Sequence, residues 1–243
     1  MQIGEFTVSY LSHVSFSFAS PQGTTILTDP LFAKMFMWQG HIESYLSPPD
    51  ISPEDITRCD AIFVSHIHGD HCDHEAIRNI YGRTGARILA PDDVLESLQI
   101  VRIADEDLTH IEDSIEVKVG DVSLVPLSGY DNSFDEEGRA NKFSTIISTG
   151  ATSIFYSGDC HQVPPNLKGK KVDAVFLWPH PDDEKLIQFR EDVDFSKFVL
   201  MHGDRFDPGD FLCNLDYSEE KDRVQKLLPD VEVIIPERVK RNA

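Results

Sequence analysis

The chain has 243 residues and a formal net charge of −20, from 42 Asp and Glu against 22 Lys and Arg, with histidine counted as neutral. The length is enough to bury a substantial core, and the 40% hydrophobic and 26% charged fractions are those of a globular protein. The negative charge argues against nucleic acid or a stable association with anionic membranes, because both repel an acidic protein at long range. The N-terminus lacks the pattern of a secretory signal, and the four isolated cysteines predict a reduced, cytoplasmic chain.

Short runs rich in β-branched and aromatic residues recur along the chain and predict strands. In chain order they are Ile3–Tyr10, Val14–Ala19, Thr25–Thr28, Ala61–Val64, Arg87–Ala90, Val122–Pro126, Ser144–Ser148, Ser153–Tyr156, Ala174–Trp178, Phe198–Met201 and Val231–Ile235. Helix-start signals between them predict helices at Asp73–Arg83, Pro91–Ile100 and Ser218–Leu228. This alternation predicts a mixed α/β domain, spanning residues 1–243, in which helices cover the sheets.

The segment Leu31–Asp55 interrupts this rhythm with aromatic, methionine and proline residues in no periodic order. It is too long for a routine connection between elements. One interpretation is an extended loop that packs its aromatic side chains on the core. The other is a lid-like insertion at residues 31–55, lining a pocket or serving as a surface for homo-oligomers.

The strongest chemical signal is the run His66-Ile67-His68-Gly69-Asp70-His71, directly after the predicted strand Ala61–Val64. Imidazole and carboxylate groups together suit zinc, iron or manganese. In a tight turn that leaves a strand, the first two histidines can converge on one ion while Asp70 and His71 point at a second. A solvated polar loop does not require four ligand-type residues in this order, so a metal site is favoured.

This run resembles the HxHxDH signature of the metallo-β-lactamase superfamily, and more closely its cytoplasmic lactonase branch, related to ascorbate-6-phosphate lactonase. The other matching segments are Ser12-His13-Val14-Ser15, Thr28-Asp29-Pro30, Gly158-Asp159 and Met201-His202, each at the end of a predicted strand. The resemblance covers about residues 3–236. It implies a four-layer αββα sandwich with two divalent metal ions in a groove between the sheet edges.

The resemblance also implies a ligand set, with zinc favoured and manganese or iron as alternatives. The first ion is assigned to His66 and His68, the second to Asp70, His71 and His202, and Asp159 bridges them. Asp70 would in addition orient the nucleophile. His180 is the candidate proton donor to the leaving group, with an ordinary surface loop as the alternative interpretation.

The chain departs from the family pattern after the predicted strand Val122–Pro126, where the family has a further histidine. No histidine occurs between His110 and His161, so the first ion is short of a ligand. The candidate replacements are Asp131, then Ser128 and Tyr130, with His161 and His180 as more distant alternatives. Loss of an imidazole would weaken that site or favour a harder ion such as manganese or iron.

Several other side chains near the motif have two interpretations each. His13 is either a groove residue or a buried, hydrogen-bonded structural histidine. Cys72 and Cys160 follow predicted ligands directly, and we expect small buried side chains rather than ligands. Arg205 is a candidate contact for an anionic substrate, and the acidic run 182–184 is expected to be a solvated loop.

These observations predict a metal-dependent hydrolase that uses a metal-bound hydroxide on a small ester, lactone or phosphodiester. The expected partner is a small molecule, anionic in some of these cases. Two alternatives stay open. One is a non-catalytic metal-binding protein of the same fold, and the other is a di-iron redox protein.

Overall fold

The computed structural model describes residues 1–38, 41–128, 134–135, 138–160, 162–179, 182–204, 206–207 and 214–241, without the side chains of residues 38 and 41. The strands of the first half are β1 (Gln2–Ile3), β2 (Phe6–Ser12), β3 (Ser15–Ala19), β4 (Thr25–Thr28), β5 (Met35–Trp38), β6 (His41–Tyr45), β7 (Ala61–Phe63), β8 (Arg87–Ala90) and β9 (Leu108–His110). Those of the second half are β10 (Val117–Val119), β11 (Val122–Leu127), β12 (Ser144–Ser148), β13 (Ser153–Tyr156), β14 (Ala174–Leu177), β15 (Lys197–Leu200), β16 (Phe206–Asp207) and β17 (Glu232–Ile234). The helices are α1 (His74–Thr84), α2 (Asp92–Leu98), α3 (Asp183–Asp192) and α4 (Tyr217–Leu227).

The strands form two seven-stranded sheets of similar design. The first has the order β1-β2-β3-β4-β7-β8-β9, and the second has the order β10-β11-β12-β13-β14-β15-β17. In each sheet the first four strands pair antiparallel and the last four pair parallel. A third, small sheet joins β16, β6 and β5.

The buried apolar side chains form three layers, and these layers show how the sheets and helices are stacked. Between the sheets, the Phe176 ring of β14 lies 4.9 Å from that of Phe16 and 5.2 Å from that of Phe18 on β3. On the outer face of the first sheet, α1 and α2 contribute Ile77, Ile80, Val94 and Leu98. On the outer face of the second, α3 and α4 contribute Leu186, Phe189 and Val224. Helices therefore cover both sheets, and the predicted αββα sandwich is confirmed.

The starts of the helices show where the sequence predicts the structure well and where it does not. Asp73 accepts a hydrogen bond from the Ala76 N–H and caps α1, as the sequence indicates. The acidic run 182–184 is instead the start of α3, because the Asp182 side chain accepts the Glu184 N–H at 3.0 Å. The expectation of a solvated loop there is wrong.

The segment Leu31–Asp55 contains a β-hairpin, β5–β6, which the sequence analysis did not predict. Its inward face carries Phe36 and Tyr45, whose rings lie 5.1 Å and 4.8 Å from that of Phe206. The hairpin passes close to the metal motif, since a Cβ placed on Gly69 would lie 3.0 Å from the Met37 carbonyl oxygen. Its function as a lid stays a prediction.

No helix among the described residues is long and apolar enough to cross a bilayer.

Candidate metal centre

The loops that carry the predicted ligands meet at one edge of the sandwich. Asp29 follows β4, the His66–His71 loop follows β7, Asp159 follows β13 and His202 follows β15. These four strands belong to the parallel halves of the two sheets, whose carboxyl ends are the usual position of binding sites in α/β folds. The β2–β3 turn, which contains His13, lies at the same edge because β3 runs antiparallel to β4.

A first group of ligand-type atoms consists of His66, His71 and Asp159. The Asp159 carboxylate lies between the two rings, with Oδ2 3.1 Å from His66 Nε2 and Oδ1 2.9 Å from His71 Nε2. Both histidines are buried, and the Asp159 side chain is 12% exposed. The open side of this group is therefore at the carboxylate.

A second group consists of His13, Asp70 and His202, all buried. Asp70 Oδ2 lies 3.5 Å from His13 Nε2 and 3.5 Å from His202 Nε2. The two groups adjoin, because Asp159 Oδ1 is also 2.9 Å from His202 Nε2. Asp159 thus contacts both groups, as expected for a bridging carboxylate.

The grouping differs from the predicted ligand assignment in two respects. His71, assigned with Asp70 and His202, is grouped with His66 and Asp159, although its Nε2 is only 3.3 Å from His202 Nε2. His68 lies at the margin, with Nδ1 3.6 Å from Asp159 Oδ2 and 31% of its side chain exposed. His13, which had two interpretations, lies inside the second group.

Asp29 orients the first group from behind. Its Oδ2 accepts hydrogen bonds from the Tyr156 hydroxyl at 2.7 Å and the Ser65 hydroxyl at 2.6 Å, and it lies 2.8 Å from His71 Nδ1. Because an ionised carboxylate only accepts, Nδ1 of His71 carries a proton, and loss of the second ring proton on metal binding would leave the Nε2 lone pair directed at the centre. In the sequence, Asp29 stands out only as part of the Thr28-Asp29-Pro30 segment, which does not indicate its role.

The Ser65 hydroxyl fixes His66 in the same way. It donates its single proton to Asp29, so the contact of 2.9 Å with His66 Nδ1 requires that nitrogen to donate. The Nε2 lone pair of His66 is then directed at Asp159 Oδ2, so that two acceptors face one another. A cation between them would remove this repulsion.

Three residues of the centre adopt left-handed backbone conformations that are uncommon outside glycine. His13 has φ of +43°, Asp29 of +36° and His202 of +62°. Such strain persists only where surrounding contacts hold it, and it concentrates at functional sites. Gly158, at φ of +54°, is required for close approach, since a Cβ there would lie 2.9 Å from the Ser65 Cβ.

The ionisation states of the buried groups follow from their surroundings. Burial and the neighbouring His202 lower the pKa of His13 to about 4, and burial and His71 lower that of His66 to about 4. Burial alone would lower the pKa of His71, but the Asp159, Asp70 and Asp29 carboxylates outweigh it and raise that pKa to about 10. Burial disfavours the ionised form of Asp159 as well, yet the histidines around it hold its pKa well below the ordinary value.

Binding of an ion to the first group should therefore release about one proton at neutral pH. His71 holds a proton up to about pH 10 in the ion-free centre, whereas a ligating nitrogen must be unprotonated. The apparent affinity should rise by about tenfold per pH unit below that pKa. Calorimetric titrations with Zn²⁺ in two weakly coordinating buffers of different ionisation enthalpy measure the proton count.

The matched control is His110→Gln, since His110 at the end of β9 pairs with Asp92 of α2 at 2.7 Å, belongs to neither ligand group, and should not change the proton count. Binding without proton release in the unmodified protein would contradict the assigned state of His71.

The centre fits a divalent cation on the evidence of its buried polar atoms without partners. Among the described residues, His13 Nδ1, His13 Nε2 and Asp70 Oδ1 are buried without a hydrogen-bond partner. Each such atom costs about 1–3 kcal/mol when left unsatisfied. Neutral imidazole nitrogens beside carboxylate oxygens are the donors that zinc, iron and manganese take in proteins.

The remaining candidate site residues are either buried in the core or lie outside the described residues. Cys72 and Cys160 lie in apolar clusters of the core, and burial raises the pKa of the Cys72 thiol to about 12. Ser128 is buried, and its N–H donates to Asp113 Oδ1 at 2.7 Å. The predictions that lie outside the described residues concern His180, Asp131, Tyr130, His161 and Arg205.

The chain belongs to the β-lactamase superfamily: the sequence model described as "Beta-lactamase superfamily domain" matches residues 24–202. This stretch contains the loops after β4, β7, β13 and β15, which carry Asp29, the His66–His71 run, Asp159 and His202, but not the β2–β3 turn with His13. A search of curated proteins finds no match to the sequence. The lactonase branch of the superfamily is a finer assignment that the match does not make.

Solved structures share the whole architecture at low sequence identity. An isothiocyanate hydrolase from Delia radicum gut bacteria has a TM-score of 0.70 at 14% identity, over 97% of this chain and 98% of that one. Igni18, a metallo hydrolase of the archaeon Ignicoccus hospitalis, has a TM-score of 0.67 at 17% identity, over 96% and 95%. CmlA, a diiron β-hydroxylase from Streptomyces venezuelae, has a TM-score of 0.59 at 18% identity, over 97% of this chain and 53% of that one.

Proposed function

We propose that this protein is a metal-dependent hydrolase of small esters or lactones that uses two divalent ions. The observation that carries the proposal is the pair of adjoining ligand groups around Asp159, in which buried nitrogen and carboxylate acceptors face one another. Membership of the superfamily and the fold shared with metallo hydrolases support it. The preponderance of imidazole favours zinc, with manganese or iron as alternatives.

Divalent ions in such a centre supply Lewis acidity, which lowers the pKa of water and stabilises negative charge on a reacting oxygen. The protein's own groups would hold and orient the reactants. Asp70 is buried beside His13 and His202, so its ionised carboxylate can fix the direction of a nucleophile in the second group. His180 stays the proposed proton donor to the leaving group.

The carboxylates of a cavity near the metal loop favour a neutral substrate over a phosphodiester. A cavity of about 360 Å³ opens beyond β8 and β9, next to Phe143, whose N–H donates to the Ser65 carbonyl of the metal loop. Its charged lining is mostly carboxylate: Asp92, Asp93, Glu96, Glu112, Asp113 and Asp135, with Arg139 and His110. A neutral ester or lactone avoids the repulsion that the negatively charged phosphate of a phosphodiester would meet there.

The proposal extends to the setting of the protein. A small molecule is the proposed partner, with no nucleic acid and no stable membrane association, and a homo-oligomer is compatible with it. Cys59, Cys72 and Cys160 are free thiols in the core, which supports a reducing, cytoplasmic environment.

The test combines metal analysis with hydrolysis assays. Protein purified without added metal is analysed for zinc, manganese and iron, stripped with a chelator, and reloaded with each ion in turn. The substrates are p-nitrophenyl acetate, γ-butyrolactone, bis(p-nitrophenyl) phosphate and benzyl isothiocyanate, the last because a structural relative is an isothiocyanate hydrolase. We expect ester or lactone turnover that disappears on stripping and returns with two equivalents of metal.

Two outcomes would overturn the proposal. Two tightly bound ions without turnover of any ester, lactone, phosphodiester or isothiocyanate would indicate a non-catalytic metal-binding protein. Bound iron with a visible absorption band and no hydrolysis would indicate redox chemistry, the activity class in the name of the diiron relative.

A further inference from the structure

A second buried network lies directly behind the His13 group, and neither the ligand set nor the sequence motifs include it. Its centre is Asp204, which is 7% exposed. Asp204 Oδ1 accepts the Tyr10 hydroxyl at 3.2 Å, and Oδ2 accepts from the Tyr45 hydroxyl and from the Arg238 guanidinium. We call these four residues the Asp204 cluster.

The cluster reaches the metal centre through the backbone of His13. Asp204 Oδ2 accepts the His13 N–H at 2.7 Å, a charge-assisted hydrogen bond. The His13 carbonyl in turn accepts the His202 N–H at 3.1 Å. His13 is therefore held at both its N–H and its carbonyl, and these bonds maintain the left-handed conformations of His13 and His202.

Arg238 connects the cluster to a part of the chain that is remote in sequence. Its Nη1 donates to the Ser47 carbonyl at 2.6 Å, just after β6, and Val239 N–H donates to the Tyr10 carbonyl at 2.9 Å. The guanidinium also supplies the charge that allows Asp204 to be buried as an anion. Three separate segments of the chain thus converge on Asp204, the residue that holds His13.

We propose that Asp204, held by Arg238, is the positioning residue of the second ion: it sets the backbone of His13 so that His13, Asp70 and His202 bind one divalent cation. The inference rests on the proposed function, because it requires ions in the centre. The Asp204 cluster has no such role for the first group, whose histidines are oriented by Asp29 and Ser65. Loss of the cluster should therefore weaken binding of the second ion and leave binding of the first ion unchanged.

The experiment titrates metal-free full-length protein with Co²⁺ and with Zn²⁺, and follows binding by calorimetry and by the visible spectrum of Co²⁺. Asp204→Asn keeps the size of the side chain but removes its charge, and Arg238→Gln removes the partner charge. We expect the first equivalent to bind as in the unmodified protein and the second at least about tenfold more weakly, by analogy with other groups that orient metal ligands. The Co²⁺ spectrum of the second equivalent should also change.

Arg190→Gln is the matched control. Arg190 pairs with Asp230 at 2.9 Å and lies 5.3 Å from the Phe195 ring centroid, much as Arg238 pairs with Asp204 and lies 6.0 Å from that of Tyr10. The two arginine side chains are similarly exposed, at 26% and 23%. Arg190→Gln should alter neither equivalent.

Unchanged affinity for both equivalents in Asp204→Asn and Arg238→Gln would overturn the inference and leave the proposed function intact. Equal weakening by Arg190→Gln would overturn it too, because the effect would then be general destabilisation. If Asp204→Asn does not fold, Arg238→Gln decides the matter. Failure of the unmodified protein to bind any ion would overturn the proposed function itself.

Discussion

Replacing Asp159 with alanine should abolish hydrolysis and remove at least one of the two ions. The Asp159 carboxylate contacts His66, His71 and His202 at 3.1 Å or less, so it serves both ligand groups. Without it, the first group loses one of its three ligands, the second loses the carboxylate that contacts His202, and the negative charge between them is lost. We expect kcat/KM to fall by about a thousandfold or more, which corresponds to about 4 kcal/mol of transition-state stabilisation.

The measurements are metal content by elemental analysis and kcat/KM on the ester or lactone that the unmodified protein turns over. His66→Ala should act in the same direction on the first group. Asp121→Ala is the control. Asp121 accepts the Ser20 hydroxyl at the end of the sandwich opposite to the metal centre, so its replacement should leave both quantities unchanged. Full turnover by metal-free Asp159→Ala protein would refute the mechanism.

The parts of the fold that could be predicted are those with local signals. The strand Ala61–Phe63 is an apolar run, and the ligand-rich turn after it is recognisable from residue order alone. The hairpin β5–β6 has no such signal, because its inward residues Phe36 and Tyr45 are held by Phe206, about 160 residues further along the chain. Helix α3 was missed for a similar reason, since only Leu186 and Phe189 are buried in it and its acidic start reads as a loop.

The same distinction separates the two halves of the metal centre. Three members of the His66–His71 loop are local in sequence, and their convergence follows from one turn. His13 joins the second group only because the β2–β3 turn meets the loop after β15, which no spacing rule reveals. The Asp204 cluster is farther from prediction, as its other members lie 34 to 194 residues from Asp204 in the chain.

Asp29 illustrates a residue whose motif was visible but whose role was not. In sequence it belongs to Thr28-Asp29-Pro30, a segment that is also typical of a turn. The structure adds the contacts with Ser65, Tyr156 and His71, and these come from two different sheets. A carboxylate that is fully buried and surrounded by donors is a positioning group rather than a turn residue.

Asp29→Asn should lower both the affinity for metal and the stability of the fold. The carboxylate accepts the Ser65 N–H at 2.7 Å through Oδ1, while Oδ2 faces the Tyr156 hydroxyl and His71 Nδ1. Burial and the Asp29 charge raise the pKa of Tyr156, so its hydroxyl stays a donor. An asparagine amide therefore places its NH₂ against at least one buried donor in either orientation, at a cost of about 1–3 kcal/mol.

The effect on metal follows from the His71 ring, which loses the acceptor that fixes its tautomer. We expect the affinity of the first group to fall by about 10–100-fold, as for other groups that orient metal ligands. Asparagine tolerates positive φ, so the backbone at this position is preserved and the change is electronic. Thermal unfolding and Zn²⁺ calorimetry measure the two effects. Asp173→Asn is the control, because the Asp173 carboxylate accepts the Ser153 N–H at 2.8 Å just before β14 and belongs to neither ligand group. Unaltered Zn²⁺ affinity in Asp29→Asn would show that His71 does not depend on Asp29 for its orientation.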